Sequence, residues 1–361
     1  MIKYLGSKRT LIPLILEAVE HSSQANSVID LFSGTSRVGH ALKALGYQVF
    51  ANDHNAYAAT LARCYVEADI EDVEFEASQL VSEFNHLPGK AGYFTETFCE
   101  HSRFFQPKNG ERIDAIREEI LAKALRPELE AVMLVSLMEA ADRVDSTTGV
   151  QMAYLKQWAK RSFNDLELRL PNVLPRAKGG KGRATELEAA EACRQLQADV
   201  AYIDPPYNQH SYLRNYHIWE SLVLWDKPQV YGVACKRMDC KERVSSFNSR
   251  VQFAEAMTAV FRAIRAQTLV VSFSNEGYIS REMMEGLLRE FTGTEGEVVT
   301  IQSNYKRYVG AQIGIYNPQG TKVGITTHTR NVEFVYIASK TRIPEVVKMR
   351  ERSELAAAPL P

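Results

Sequence analysis

The apolar run Ser27 to Gly34 (SVIDLFSG) is followed by apolar residues at helical spacing and then by a second run, Tyr47 to Asp53 (YQVFAND). Few patterns narrow a fold more. A strand without polar alternation is buried on both faces, which in a soluble chain means a parallel sheet covered by helices. Val38, Ala41, Leu42 and Leu45 recur at steps of three and four, giving the intervening helix one apolar stripe, and Gly46 stands where a left-handed residue would close it. A strand-helix-strand unit of this length joins two parallel strands by a right-handed crossover.

The same grammar returns late in the chain. DVAYIDPP (Asp199 to Pro206) and TLVVSFSNE (Thr268 to Glu276) read as central strands of the same sheet, with helical periodicity beside them at Phe253, Met257, Val260, Phe261 and Ile264. EVVTIQSNYKRY (Glu297 to Tyr308) and RNVEFVYIA (Arg330 to Ala338) read as a closing antiparallel hairpin. Between residues 70 and 182 the strand signal disappears and helical spacing dominates, as in Leu129, Val132, Met133, Leu137 and Met138. A chain of 361 residues has room for two domains. The expected organisation is a sheet domain at 1–69 and 183–345, a mostly helical insertion at 70–182 and a frayed tail at 346–361.

Composition narrows the class further. The five cysteines show no C-x2-C pairing, so reduced thiols are expected in place of a disulfide framework or a zinc site, and no motif suggests a metal centre. The apolar run Leu11 to Leu16 is interrupted by Glu17 and reads as a helix, not a signal peptide; no stretch approaches the roughly 20 apolar residues that span a bilayer, and a cytoplasmic protein without a membrane partner is expected. Lysine plus arginine, 43, nearly balances aspartate plus glutamate, 44, so any nucleic-acid face must come from local clustering. Residues 156 to 183 supply a cluster: Lys156, Lys160, Arg161, Arg169, Arg176, Lys178, Lys181 and Arg183 stand against only Asp165 and Glu167, and the stretch ends in a glycine-rich AKGGKGR read as a mobile loop. Lys306, Arg307, Lys322 and Arg330 form a second basic group. Either group can also be read as a solvated face.

The sharpest motif is Asp204-Pro205-Pro206-Tyr207, directly after the buried strand VAYI. Open parallel sheets bind ligands beyond the carboxyl ends of their strands. The two prolines fix the backbone and remove two N–H donors, leaving carbonyls as acceptors. An acid, a carbonyl and an aromatic ring are thereby held as one unit. That set suits an exocyclic amino group of a nucleobase, whose lone pair is delocalised into the ring. Accepting from both of its N–H groups, through the Asp204 carboxylate and the Pro205 carbonyl, draws the nitrogen toward tetrahedral geometry, and Tyr207 can stack on the base. Such a nucleophile needs a strong electrophile. Asp30 and Gly34 end the first strand, where glycine allows close approach of a cofactor, and Asp53 ends the second, where an acid grips ribose hydroxyls. The loop is not a Walker A, because no G-K-[ST] follows Gly34, and Ser36 breaks the dinucleotide G-x-G-x-x-G.

KYLGSK (Lys3 to Lys8), DLFSGTSRVG (Asp30 to Gly39), ND (Asn52, Asp53), DPPY and SFSNE (Ser272 to Glu276), in this order, resemble the motifs of the D12-class (Dam-like, alpha-group) N6-adenine DNA methyltransferases. The resemblance implies an α/β fold with a seven-stranded mixed sheet of the S-adenosylmethionine-dependent, Rossmann-like type and an inserted helical target-recognition domain. It also implies S-adenosyl-L-methionine as methyl donor, double-stranded DNA as substrate, and a cognate restriction endonuclease as an admissible partner. Carried over by position, Tyr4 and Lys8 fall on a donor-contacting motif, Asp53 on the ribose acid and Asp204 on the catalytic acid beside the methionine end, with Asp30 and Gly34 lining the pocket. Ser36 departs from the family's second glycine. Glu188, in RATELEA, is a candidate neighbour of the donor's adenine.

A base inside a duplex cannot reach a methyl donor, so the reading requires base flipping and a grip on the backbone, which the two basic groups are expected to supply. RNA adenine methylation, cytosine N4 methylation and a catalytically inactive nucleic-acid-binding protein remain alternatives. A dinucleotide oxidoreductase leaves DPPY unexplained. His210 is a weaker candidate as general base, since the amine loses its proton only after transfer, and Tyr216 and Trp219 read as helix packing. Oligomeric state and target sequence are not legible.

Overall fold

The computed structural model of the protein describes residues 1–6, 8–22, 24–306, 315–316, 322–324 and 330–344. After α1 (Ile12–Ser22), the opening unit forms as read: β1 (Ser27–Asp30), α2 (Arg37–Ala44) and β2 (Gln48–Asn52), with β1 and β2 parallel. β3 (Arg183–Thr185), β4 (Val200–Ile203), β5 (Thr268–Ser274), β6 (Glu297–Lys306) and β7 (Arg330–Ser339) complete a seven-stranded mixed sheet in the order β3-β2-β1-β4-β5-β7-β6. β7 enters between β5 and β6 and is antiparallel to both.

Alternate residues of these strands feed two different cores, which explains their unbroken apolar runs. Val28, Val200, Tyr202 and Val270 pack against Leu11, just before α1, Ile15 and Val19 of α1, and Val38 and Leu42 of α2. Ile29, Ala201, Ile203, Leu269 and Val271 face the other way, onto α7 (Ala189–Gln195), α9 (Phe253–Ala263) and α10 (Arg281–Thr292). Gly46 does close α2 with a left-handed φ of 95°. Leu45, expected on the buried stripe, is instead 55% exposed, and Lys43 takes the buried place because its ammonium is held by Asp69. All five cysteines are buried free thiols.

The middle of the chain is helical: α3 (Ala56–Ala62), α4 (Ile70–His86), α5 (Pro107–Ala122) and α6 (Pro127–Val144). Its core shows no seam at residues 70 and 182. The cluster that contains Phe84, Phe94, Phe98 and Leu137 also takes in Tyr57, Leu61 and Tyr65, and, from beyond the DPPY motif, Tyr216, Trp219 and Leu222 of α8 (His217–Leu224) and its N-terminal flank. The helical layer is therefore fastened on both sides of the DPPY motif. Among the described residues no helix is long and apolar enough to cross a membrane.

Candidate active site

A cleft with about 950 Å³ of empty space opens where the carboxyl ends of β1, β2 and β4 part, and Tyr4, Lys8, Asp30, Gly34, Asp53 and Asp204 all line it. Pro206 joins them. Tyr207 stands beside the cleft with its ring edge-on to Phe273, at 5.8 Å between centroids, and Lys8 Nζ lies 5.7 Å from the Tyr207 ring.

Each acid is held differently. Asp53 accepts from the Gly34 N–H (3.0 Å) on one oxygen and from the Asn55 N–H (3.0 Å) and side-chain amide (3.1 Å) on the other, which locks the loop after β1 to the end of β2. Gly34 makes this turn with a φ of 50°, a conformation other side chains resist. Asp30 accepts from the Gly39 N–H at 3.0 Å, yet burial pushes its pKa up to about 7. Asp204 meets Lys8 Nζ through Oδ1 at 3.1 Å, while its Oδ2 has no partner among the described residues. Burial raises the Asp204 pKa to about 6 and Lys8 opposes the rise. Burial also lifts the Tyr207 phenol to about 12.

Ser36, at the family's second glycine, adopts the conformation that glycine would take more readily, φ 58° and ψ 23°. Polar atoms buried without partners are rare. Three of them, Ser33 Oγ, Arg37 Nε and Asn55 Oδ1, belong to residues lining this cleft. Their grouping fits a ligand with polar edges, and the three carboxylates fit one that carries positive charge. Glu188 also lines the cleft, not from a strand but from the N-cap of α7, since β3 ends at Thr185.

Several contributors are not legible in the motifs. Tyr4 is sandwiched between Tyr212 (5.1 Å, 2°) and Tyr216 (4.6 Å, 13°), so rings of the DPPY-following segment shape the wall of the cleft beside Tyr4. Glu220, fully buried, accepts from the N–H groups of Ala56 and Tyr57 and from Arg243, which also donates to the His54 carbonyl. Glu333 of β7 reaches Lys8 at 3.4 Å. Its being the one acid of β7, set in the apolar stretch VEFVYIA, is the sequence signal that marks it. His210 lies exposed on a loop, and His217 is buried, with its pKa lowered to about 3 by that burial and its Nε2 set against the Gln151 carbonyl.

Half of the basic run is engaged with internal partners. Arg161 pairs with Asp145, Arg169 with Glu167, Arg176 with Asp69 and Asp72, and Lys181 with Asp72 and Glu128. AKGGKGR, expected as a mobile loop that holds phosphates, is tied to the sheet by hydrogen bonds and close packing. The Gly179 N–H donates to the Gly46 carbonyl, Gln48 donates to the Lys181 carbonyl, and a Cβ on Gly179 would lie 2.6 Å from the Asn26 carbonyl oxygen. Its glycines serve close packing against the amino ends of β1 and β2, at the opposite end of the strands from the cleft. Lys178 and Lys181 are there, and Arg183 is exposed on the edge strand β3. Lys156 and Lys160 are exposed and have no ion pair among the described residues. Arg307 and the side chains of Lys306, Lys322 and Arg330 lie outside the described residues, as does the tail.

The sequence profile of the D12 class N6 adenine-specific DNA methyltransferases matches residues 4–284. The chain is 30% identical over 323 residues to the modification methylase StsI of Streptococcus sanguinis, covering 85% of this chain and 49% of that one. It is 28% identical over 319 residues to the type II methyltransferase M.NlaIII of Neisseria lactamica, covering 85% and 92%, and 29% identical over 316 residues to M.FokI of Planomicrobium okeanokoites, covering 80% and 47%. It thus spans about half the length of the StsI and FokI enzymes and most of M.NlaIII. The profile match covers well over half of the chain, and the chain belongs to the D12 class N6 adenine-specific DNA methyltransferase family.

Proposed function

We propose that this chain transfers a methyl group from S-adenosylmethionine to the N6 amino group of adenine within a specific double-stranded DNA sequence, the base being turned out of the duplex into the cleft. One observation carries the reading: Asp204 sits at the carboxyl end of a buried strand with one oxygen engaged by Lys8 and, among the described residues, the other unpartnered. An acceptor so placed can take one N–H of the amine while the Pro205 carbonyl takes the second, and Tyr207 supplies a ring for the base to stack on. S-adenosylmethionine, when bound, supplies a methyl group activated by a sulfonium centre. Asp53 would hold its ribose hydroxyls, Tyr4 would pack beside it, and Asp30 with Asp204 would face its positive charge. After transfer the nitrogen carries one proton too many, and Asp204 is the base placed to take it.

The helical layer at 70–182 is the part we assign to duplex recognition, with Lys156 and Lys160 touching phosphates. The modification and type II names of the relatives support a role beside a restriction endonuclease. The test is to incubate the purified chain with labelled donor and duplex DNA, digest to nucleosides and separate them by mass. N6-methyladenine from duplex DNA is expected. N4-methylcytosine, or label only in RNA, overturns the reading.

A further inference from the structure

Lys8 is not a partner of Asp204 alone. Its Nζ lies 3.1 Å from Asp204 Oδ1 and 3.4 Å from Glu333 Oε2, with the lysine and glutamate side chains 9% and 8% exposed. Glu333 belongs to β7, where it is opposite Ser274 of β5 in the ladder, so the strand inserted between β5 and β6 brings an acid to the catalytic end of the sheet. We propose that Glu333 is a positioning residue for methyl transfer: it holds Lys8 against one oxygen of Asp204 and leaves the cluster with a net negative charge facing the amine.

Charge explains why a second acid is needed. Lys8 and Asp204 by themselves are neutral, and a neutral pair has little to offer a nitrogen that becomes positive as it attacks. With the Glu333 carboxylate added, the three groups carry one negative charge without Glu333 touching the base, and fixed charges in a dry site stabilise charge that develops in the transition state. Glu333 also secures the lysine. Burial alone would push Lys8 toward its neutral form, and two carboxylates instead raise its pKa well above the ordinary value. The other groups facing Asp204 are Tyr202 and Tyr207 from its own strand and turn, Asp30 from β1 and Tyr212 from the segment that follows.

The proposal rests on the methyltransferase reading, and the experiment separates the two. The wild-type chain is first shown to form N6-methyladenine; failure there is failure of the activity, not of Glu333. Glu333→Gln keeps the shape and a hydrogen bond to Lys8 but removes the charge. We expect kcat to fall on the order of tenfold at saturating donor and DNA, with both KM values little changed. The acid limb of the kcat profile should move to lower pH, because the Glu333 charge is one of those that make Asp204 harder to ionise. Glu333→Asp, which keeps the charge, should recover part of the lost rate. If a thermal melt shows that Glu333→Gln has simply unfolded, the profile is taken from Glu333→Asp, whose shorter side chain draws the charge back from Asp204 and should move the acid limb the same way by less. A purely structural residue would lower stability and leave the acid limb where it was; an unmoved limb with wild-type kcat in the folded variant overturns the proposal.

Discussion

Lys8 and Lys43 are both buried lysines set against carboxylates. Lys43 Nζ meets Asp69 at 2.8 Å and the Ala68 carbonyl at 2.6 Å, and Arg176 closes the other oxygen of Asp69 at 2.7 Å. Asp69 and the Lys43 side chain are sealed, at 0% and 1% exposure. Both oxygens of Asp69 are used, so the cluster can do nothing but pin α2 to the start of the helical layer. At Lys8 the chemistry is the same but one face is open, and Asp204 keeps an oxygen without a partner among the described residues while 18% of its side chain is exposed to the cleft. A buried charge is structural when its partners saturate it and chemical when they stop one short.

The largest test of this contrast is Lys43→Met. With Arg176 still on the other oxygen, the change leaves one sealed oxygen of Asp69 without its donor, and the variant should lose about 3 kcal/mol in urea unfolding while its folded fraction keeps full specific activity. Unchanged stability would show that the closed cluster is not what it looks like. Asp204→Ala should do the reverse: turnover with radiolabelled donor falls by on the order of 10² to 10³, with donor binding reduced only moderately. More than about a tenth of wild-type turnover remaining would remove Asp204 from the mechanism. Tyr207→Ala should weaken the complex with a flipped base by roughly 1 to 3 kcal/mol, and Tyr207→Phe much less, since stacking survives. Fluorescence of a 2-aminopurine target reads this directly, and equal defects in the two variants would exclude stacking.

The smallest effect concerns surface cations sorted by the same rule. Replacing Lys156 or Lys160, which have no ion pair among the described residues, by Ala should flatten the plot of log DNA affinity against log salt by about 0.9 for each phosphate that the variant no longer neutralises. Lys178→Ala, at the far end of the sheet, should leave affinity and slope unchanged. A slope change at Lys178 would return the glycine-rich loop to the DNA face.

The strands were legible because each is buried on two sides, so the runs at Ser27, Val200 and Thr268 are mostly apolar and do not alternate with exposed polar residues. The cleft acids were legible because strand ends place them by rule. Counting charges in residues 156 to 183 could not show which of them have acidic partners in the fold, as Arg176 has Asp69 and Lys181 has Glu128. The glycines of AKGGKGR look like flexibility in one dimension and are close packing in three. Leu45 and Lys43 exchanged roles because Asp69, which buries the lysine, lies a helix away in sequence. Glu333 and Tyr216 stayed hidden for the same reason: their partners Lys8 and Leu5 are 325 and 211 residues distant.

The place of β7 has a consequence in time. Ribosomes deliver the amino end first, so Lys8 and Asp204 emerge well before Glu333. At the usual pace of synthesis the interval between Asp204 and Glu333 is on the order of ten seconds. During it the nascent chain carries a complete DPPY motif but lacks the strand that fills the gap between β5 and β6 and anchors the lysine. A product released early, anywhere short of residue 330, would hold the motif without the third charge of its cluster, so with Glu333 in the role proposed above competence for chemistry would wait for synthesis through β7.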